Sequence, residues 1–254
     1  MQTMVTAGTD KIWAEDSGGS GPPLLLLHEG VGDARMWDPV WPELTAAFRA
    51  IRYDVRGYGR SPAPTQKYTL LDDALAVLDH FGVATAHVTG CSMGGMTALE
   101  LALGCPNRVR TLVLLCPGIS GYPYPENPEL EARYEALQAA GDEDGLLRTG
   151  LEQWGAAGPD PLVTELMRSA LRAWASEEEF QQAGEPVYDR LGELRTPTVL
   201  MVGDKDDAGL IASNEAAAQR MPGCELIRMP GADHYPTVRA PQLVTQTILR
   251  HCTG

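Results

Sequence analysis

A serine set between small residues is the first position in this chain that could do chemistry. Gly90-Cys91-Ser92-Met93-Gly94-Gly95 follows the short apolar run Ala86-His87-Val88-Thr89 and precedes the helix-like stretch 96–102. This order predicts a strand, a sharp turn and a helix, with Ser92 at the apex. A turn that tight strains the serine backbone, and a bulky residue two positions to either side would collide with it. The hydroxyl then stands clear of the sheet at a helix N-terminus, whose dipole favours developing negative charge. The pattern is that of a G-x-S-x-G nucleophile elbow.

A serine hydroxyl is a poor nucleophile at neutral pH. It needs a base, usually histidine, held by a carboxylate. In a strand-turn-helix setting the acid and then the base come later in the chain. Asp206 lies in Gly203-Asp204-Lys205-Asp206, just past an apolar run, and His234 lies in Gly231-Ala232-Asp233-His234-Tyr235-Pro236, just past another. Both follow strand C-terminal ends, the edge where parallel sheets carry their sites. The other histidines fit the base less well: His80 falls on a helix, His87 at a strand start, His251 in the terminal segment, and His28 precedes the serine. For the acid, Asp206 is favoured because the short turn aims it inward, with Asp204 and Asp207 on the same loop as alternatives.

The elements that must hold these residues can be read from the apolar pattern. Strands are expected at 3–6, 11–15, 24–27, 50–53, 109–115, 198–202 and 224–229, besides the one before the serine. The run 24–27 is continuously apolar, as in a strand buried on both faces. Helices are expected at 37–48, 68–81, 209–221 and 241–251. Strands and helices alternate except over about 119–195. That interval reads as helices only, at 129–140, 144–154, 161–175 and 177–191. It carries 16 Asp and Glu against 6 Arg and no Lys, a balance of −10 out of the chain's −14. The plain reading of that charge is solvated helix faces.

Composition narrows the class further. The chain has 254 residues, is 44% hydrophobic and has a formal net charge of −14. That suits one α/β domain with an insertion, and argues against nucleic acid or an anionic membrane as partner. No apolar run approaches the roughly 18 residues of a membrane span, and no secretory signal is visible at the N-terminus. Five scattered cysteines, without paired spacing, suggest reduced thiols and a cytoplasmic location. No zinc pattern, Walker loop or dinucleotide fingerprint appears, so neither metal nor cofactor is expected. A homodimer is compatible with the sequence.

Four local patterns together resemble the α/β-hydrolase superfamily, over essentially the whole chain. Residues 26–38, Leu-Leu-His-Glu-Gly-Val-Gly-Asp-Ala-Arg-Met-Trp-Asp, resemble the oxyanion loop of esterase-like and enol-lactonase-like members. Residues 54–61, Asp-Val-Arg-Gly-Tyr-Gly-Arg-Ser, resemble its D-x-R-G-x-G-x-S segment. The elbow follows, and then the turns ending at Asp206 and His234. The resemblance implies an α/β fold with a mostly parallel central sheet flanked by helices. It implies a core domain of 1–118 and 196–254, with 119–195 as a helical cap inserted after the sixth strand.

By the same resemblance, the backbone N–H groups of Met93 and Gly30 form an oxyanion hole. Glu29 departs from the family, which most often has glycine there. Either it points away and holds the loop by hydrogen bonds, or it binds substrate or moves a proton. Cys91 also departs, standing where relatives usually have histidine, and is expected to point into the core. Trp37, Trp154 and Trp174 could line an apolar pocket or belong to the core. The expected activity is cofactor-free cleavage of a small-molecule ester or lactone through Ser92, His234 and Asp206, with an acyl-enzyme intermediate. A C–C bond hydrolase or non-hydrolytic cyclase or lyase at the same site is a second reading. A ligand-binding protein that retains the triad is a third.

Overall fold

The structure, a computed structural model, describes residues 1–253, and the side chains of 175–178 lie outside the described residues. Its strands are β1 (Gln2–Ala7), β2 (Asp10–Asp16), β3 (Pro23–Leu27), β4 (Arg49–Tyr53), β5 (Ala86–Cys91), β6 (Val109–Leu115), β7 (Thr198–Gly203) and β8 (Glu225–Met229). They form one sheet in the order β1-β2-β4-β3-β5-β6-β7-β8. The two pairings at the β1 end are antiparallel. All the others are parallel.

Parallel strands covered on both faces need apolar residues on both. The leucines of β3 meet that demand: Leu25 and Leu27 enter one apolar cluster, and Leu24 and Leu26 the other. This is the two-residue alternation of a strand, with a core on each side. Every residue of β5 is buried. One face of the sheet is covered by α2 (Leu70–His80) and α3 (Met93–Gly104), the other by α1 (Trp41–Ala47) and α9 (Pro241–Thr253). Helix α2 starts where the Thr69 side chain accepts the Asp72 N–H, which satisfies one orphan donor of the first turn.

Between β6 and β7 run α4 (Pro128–Ala140), α5 (Glu143–Trp154) and α6 (Pro161–Phe180). Helix α4 has no buried residue, whereas α6 buries Val163, Leu166, Met167, Ala170 and Ala173. After β7 come α7 (Ala208–Arg220) and, past β8, the short α8 (Pro236–Arg239). Among the described residues no helix is long and apolar enough to cross a membrane.

Two expected helices differ from what is found. The break near residue 176 is absent, because α6 runs unbroken to Phe180. The expected helix at 177–191 is replaced by an irregular connector and a short 3-10 turn at Tyr188–Glu193. Pro186 disfavours helical backbone at the residue before it. Gln181 instead pairs with Tyr68 in an isolated bridge, tying the connector to the core. The expected helix at 37–48 is divided into a 3-10 turn, Ala34–Trp37, and α1. Pro39 and Pro42 both lack the N–H that a continuous ladder would need.

The C-terminal ends of β3, β5, β6, β7 and β8 point the same way. The residues just beyond them are His28 to Gly30, Ser92, Cys116, Asp206 and His234.

Candidate active site

Ser92 follows β5 and is the N-cap of α3, with φ 49° and ψ −112°. For a non-glycine residue this backbone costs about 1–3 kcal/mol and persists only where its surroundings fix it. They do so here. The Ser92 N–H donates to the Leu115 carbonyl at 3.0 Å, and the Ser92 carbonyl accepts from Met96 at 2.9 Å and Gly118 at 3.0 Å. The flanking glycines are demanded by close approach. A Cβ on Gly90 would lie 2.2 Å from the Gly94 carbonyl oxygen, and one on Gly94 2.3 Å from that of Leu27. Gly95, outside the five-residue pattern, is under the same constraint from Pro117 at 2.7 Å.

Asp206 and His234 meet although 28 residues separate them. His234 Nδ1 lies 3.0 Å and 2.9 Å from the two Asp206 oxygens. Both side chains are essentially buried. The His234 backbone N–H donates to the Trp154 carbonyl at 3.2 Å, and the Trp154 ring packs against the imidazole at 4.5 Å between centroids. Burial alone would push the Asp206 carboxyl up. The charge and hydrogen bond of His234, the Cys116 thiol and the Asp207 N–H together outweigh it and hold the carboxyl below its ordinary range. Asp204 does not join them, since its carboxylate accepts the Gly231 N–H at 2.7 Å. Asp207 caps α7 by accepting the Leu210 N–H.

Cys116 is a member of this cluster that sequence reading passed over. Its Sγ lies within 4.8 Å of the ligand atoms of Asp206 and His234, and its φ is 45°. Two neighbouring strands are thus each followed by a non-glycine residue with positive φ, Ser92 after β5 and Cys116 after β6. Burial first, and the Asp206 charge next, raise the thiol well above its usual range. The thiol donates to the Asp206 carboxylate. Its position immediately after a central strand was the available signal.

The loop after β3 brings Gly30 beside Met93. A Cβ on Gly30 would sit 3.7 Å from the Met93 Cβ. The Gly30 carbonyl accepts from Trp174 Nε1 at 2.8 Å and from the Tyr58 hydroxyl at 3.3 Å. His28 braces this loop. Its Nε2 accepts the Val55 N–H at 3.0 Å, so its Nδ1 carries the proton and donates to the Glu29 carbonyl at 2.7 Å. Burial lowers its pKa and keeps it neutral, so it positions a loop and is not free to act as base. Asp54 completes the brace by accepting from Ala34 and Arg60.

Glu29 corrects the expectation that its side chain would hold the loop by hydrogen bonds. It is fully buried, and neither carboxylate oxygen has a hydrogen-bond partner. It lies under Gly32, whose Cβ would come within 2.3 Å of Oε1. Burial drives its pKa well up, softened only by its own amide, with Asp33 adding to the rise. The neutral acid is the form this site holds. Cys91 is also buried, its thiol pushed up by burial and then by Glu29.

Ser92 opens onto a cavity of about 800 Å³, also lined by Met96, Ile119, Leu130, Tyr134 and Trp154. Trp154 and Trp174 face an adjoining cavity of about 520 Å³. Trp37 lies elsewhere: it is fully buried in the apolar cluster behind β3, and its place is the core.

The fold and this arrangement define a class. Residues 24–247 match the model of the alpha/beta hydrolase family, and the chain belongs to that family. It is 27% identical to a rhodomycin D methylesterase of a Streptomyces species, over 98% of this chain and 97% of that one. It is 28% identical to a zearalenone hydrolase of Cladophialophora bantiana, over 93% and 91%. Among solved structures it resembles the enol-lactonase of Burkholderia xenovorans in fold, with a TM-score of 0.84 at 24% identity and coverage of 99% and 100%.

Proposed function

We propose that this protein is a serine hydrolase of small carboxylic esters or lactones. One observation carries the reading: a strained serine opens onto a cavity of about 800 Å³ lined also by Trp154, whose ring packs against a buried histidine gripped at Nδ1 by a carboxylate. Esterase-type relatives support it.

Asp206 accepts from Nδ1, which leaves Nε2 as the basic nitrogen. His234 Nε2 takes the Ser92 hydroxyl proton as Oγ attacks the substrate carbonyl carbon. The carbonyl oxygen becomes an oxyanion, held by the N–H groups of Met93 and Gly30. The carbon–oxygen bond to the leaving group then breaks, and His234 returns its proton to the departing alkoxide. Water, deprotonated by His234, attacks the acyl-enzyme, and the acid leaves as Ser92 regains its proton. The Asp206 charge stabilises the imidazolium at each step. The helices of 119–195 serve as a cap over the core formed by 1–118 and 196–254, shaping the pocket and limiting bulk water.

A p-nitrophenyl ester series of increasing acyl length, run on wild type and Ser92→Ala, tests the reading. Turnover by wild type with an optimum set by acyl length supports it. Equal rates for the two proteins overturn it.

A further inference from the structure

The charge of the region between β6 and β7 is not spread evenly over its surface. The main cavity carries Glu126, Glu131 and Asp207 in its lining, and the adjoining one carries Glu131 and Glu135. No described lysine, arginine or histidine lines either cavity. The arginines of the region are directed elsewhere: Arg133 pairs with Glu152, Arg148 with Asp142 and Arg190 with Glu193. Arg168 and Arg172 line a separate pocket beside Arg35 and Arg60. Among the described residues, Glu126, Glu131 and Glu135 have no ion pair of their own. The walls between these acids are aromatic: Tyr134 and Trp154 line both cavities, and Trp174 the adjoining one.

Acidic side chains around a cavity with aromatic walls repel an anionic substrate and draw a cationic one. Aromatic faces add attraction for the same charge, through the ring quadrupole. Resting on the ester-hydrolase reading, we infer that the site selects esters or lactones that carry a cationic amine or quaternary ammonium group, and discriminates against those that carry a carboxylate. The cation lies toward Glu131 and Glu135 against Tyr134, while the ester carbonyl reaches Ser92. The selectivity belongs to the cavity between α4, α5 and the strand ends, and not to net charge alone, since the arginine-rich pocket shares no lining residue with it.

Three p-nitrophenyl esters of matched acyl length test this, one neutral, one ending in trimethylammonium and one ending in carboxylate. The expected order of kcat/KM at low salt is cation, neutral, anion, with a cation-to-anion ratio of at least about 10. Salt at about 1 M screens the exposed carboxylates and compresses that ratio. The double variant Glu131→Gln/Glu135→Gln is expected to lower it to within about threefold of unity. Both residues are exposed on α4, which buries none of its residues, and circular dichroism confirms that the variant is folded. If it is not folded, the salt dependence of wild type decides. The same order is expected in the Kd values of the three esters for Ser92→Ala, a readout that needs no turnover. Turnover absent with that binding order present overturns the hydrolase reading alone. An anionic ester handled as well as the cationic one, in turnover and in binding, overturns the selectivity.

Discussion

His234 Nδ1 lies 3.0 Å and 2.9 Å from the two carboxylate oxygens of Asp206, with both side chains withdrawn from water. A carboxylate so placed fixes which imidazole nitrogen carries the proton. Asp206→Asn keeps the shape and removes the charge, and an amide can present its N–H to Nδ1 and enforce the wrong tautomer. The expected loss in kcat is about 10³- to 10⁴-fold with KM little changed, read from steady-state ester hydrolysis. The carboxyl is held below its ordinary range in the folded protein. Its contribution to stability is therefore present above the unfolded carboxylate value and is lost as pH falls through the lower, folded one.

The elbow depends on a backbone approach that a single methyl group blocks. Gly94→Ala places a carbon 2.3 Å from the Leu27 carbonyl oxygen, and backbone on both sides prevents relief. A destabilisation of at least about 2–3 kcal/mol is expected, measured as a lowered urea midpoint, together with loss of turnover.

Glu100 lies on α3, where it is mostly buried, its Oε1 has no partner, and both oxygens occupy the space that a Cβ on Gly184 would need. Burial raises its pKa from 4.5 to about 7. The folded state thus holds this proton more tightly than the unfolded chain. The resulting stability is fully present below 4.5 and is lost as pH rises to about 7. Above that, Glu100→Gln is expected to be more stable than wild type by about 1–3 kcal/mol. Below pH 4.5 the advantage is expected to vanish, as thermal melts across the range would record.

Glu29 sits one residue before a proposed oxyanion donor, yet burial keeps it protonated. A neutral acid does not oppose an oxyanion, so Glu29→Gln is expected to keep turnover within about threefold at neutral pH. At alkaline pH the variant is expected to be the more stable protein. A loss of about 100-fold or more at neutral pH would instead assign Glu29 a part in the chemistry.

Much of this architecture is legible in residue order, because the rules that make it are local. The β3 leucines must be covered on both faces, and Gly90 and Gly94 mark a turn that admits no Cβ. The family pattern implied Asp206 and His234, and the folded chain brings them together. What was not legible depends on distant partners. The connector after Phe180 pairs with Tyr68 more than 100 positions earlier, which no periodicity in 177–191 reveals. Trp37 reads the same in sequence whether it lines a cavity or fills a core, and the packing behind β3 decides. The Cys116 thiol gains meaning only beside Asp206, 90 residues on in the chain. Glu29 looked like a group that would bond its own loop, and burial under Gly32 left it with no partner to bond.

The formation of a covalent acyl group on Ser92 tests the central claim most directly. An excess of a p-nitrophenyl ester mixed rapidly with wild-type protein is expected to release nitrophenol in a burst equal to the protein concentration. Intact mass spectrometry of the quenched sample is expected to show one acyl group per chain, absent in Ser92→Ala. A Ser92→Ala protein that turns the ester over at the wild-type rate, or a wild-type protein that turns it over while the acyl group sits on another residue, would contradict the account.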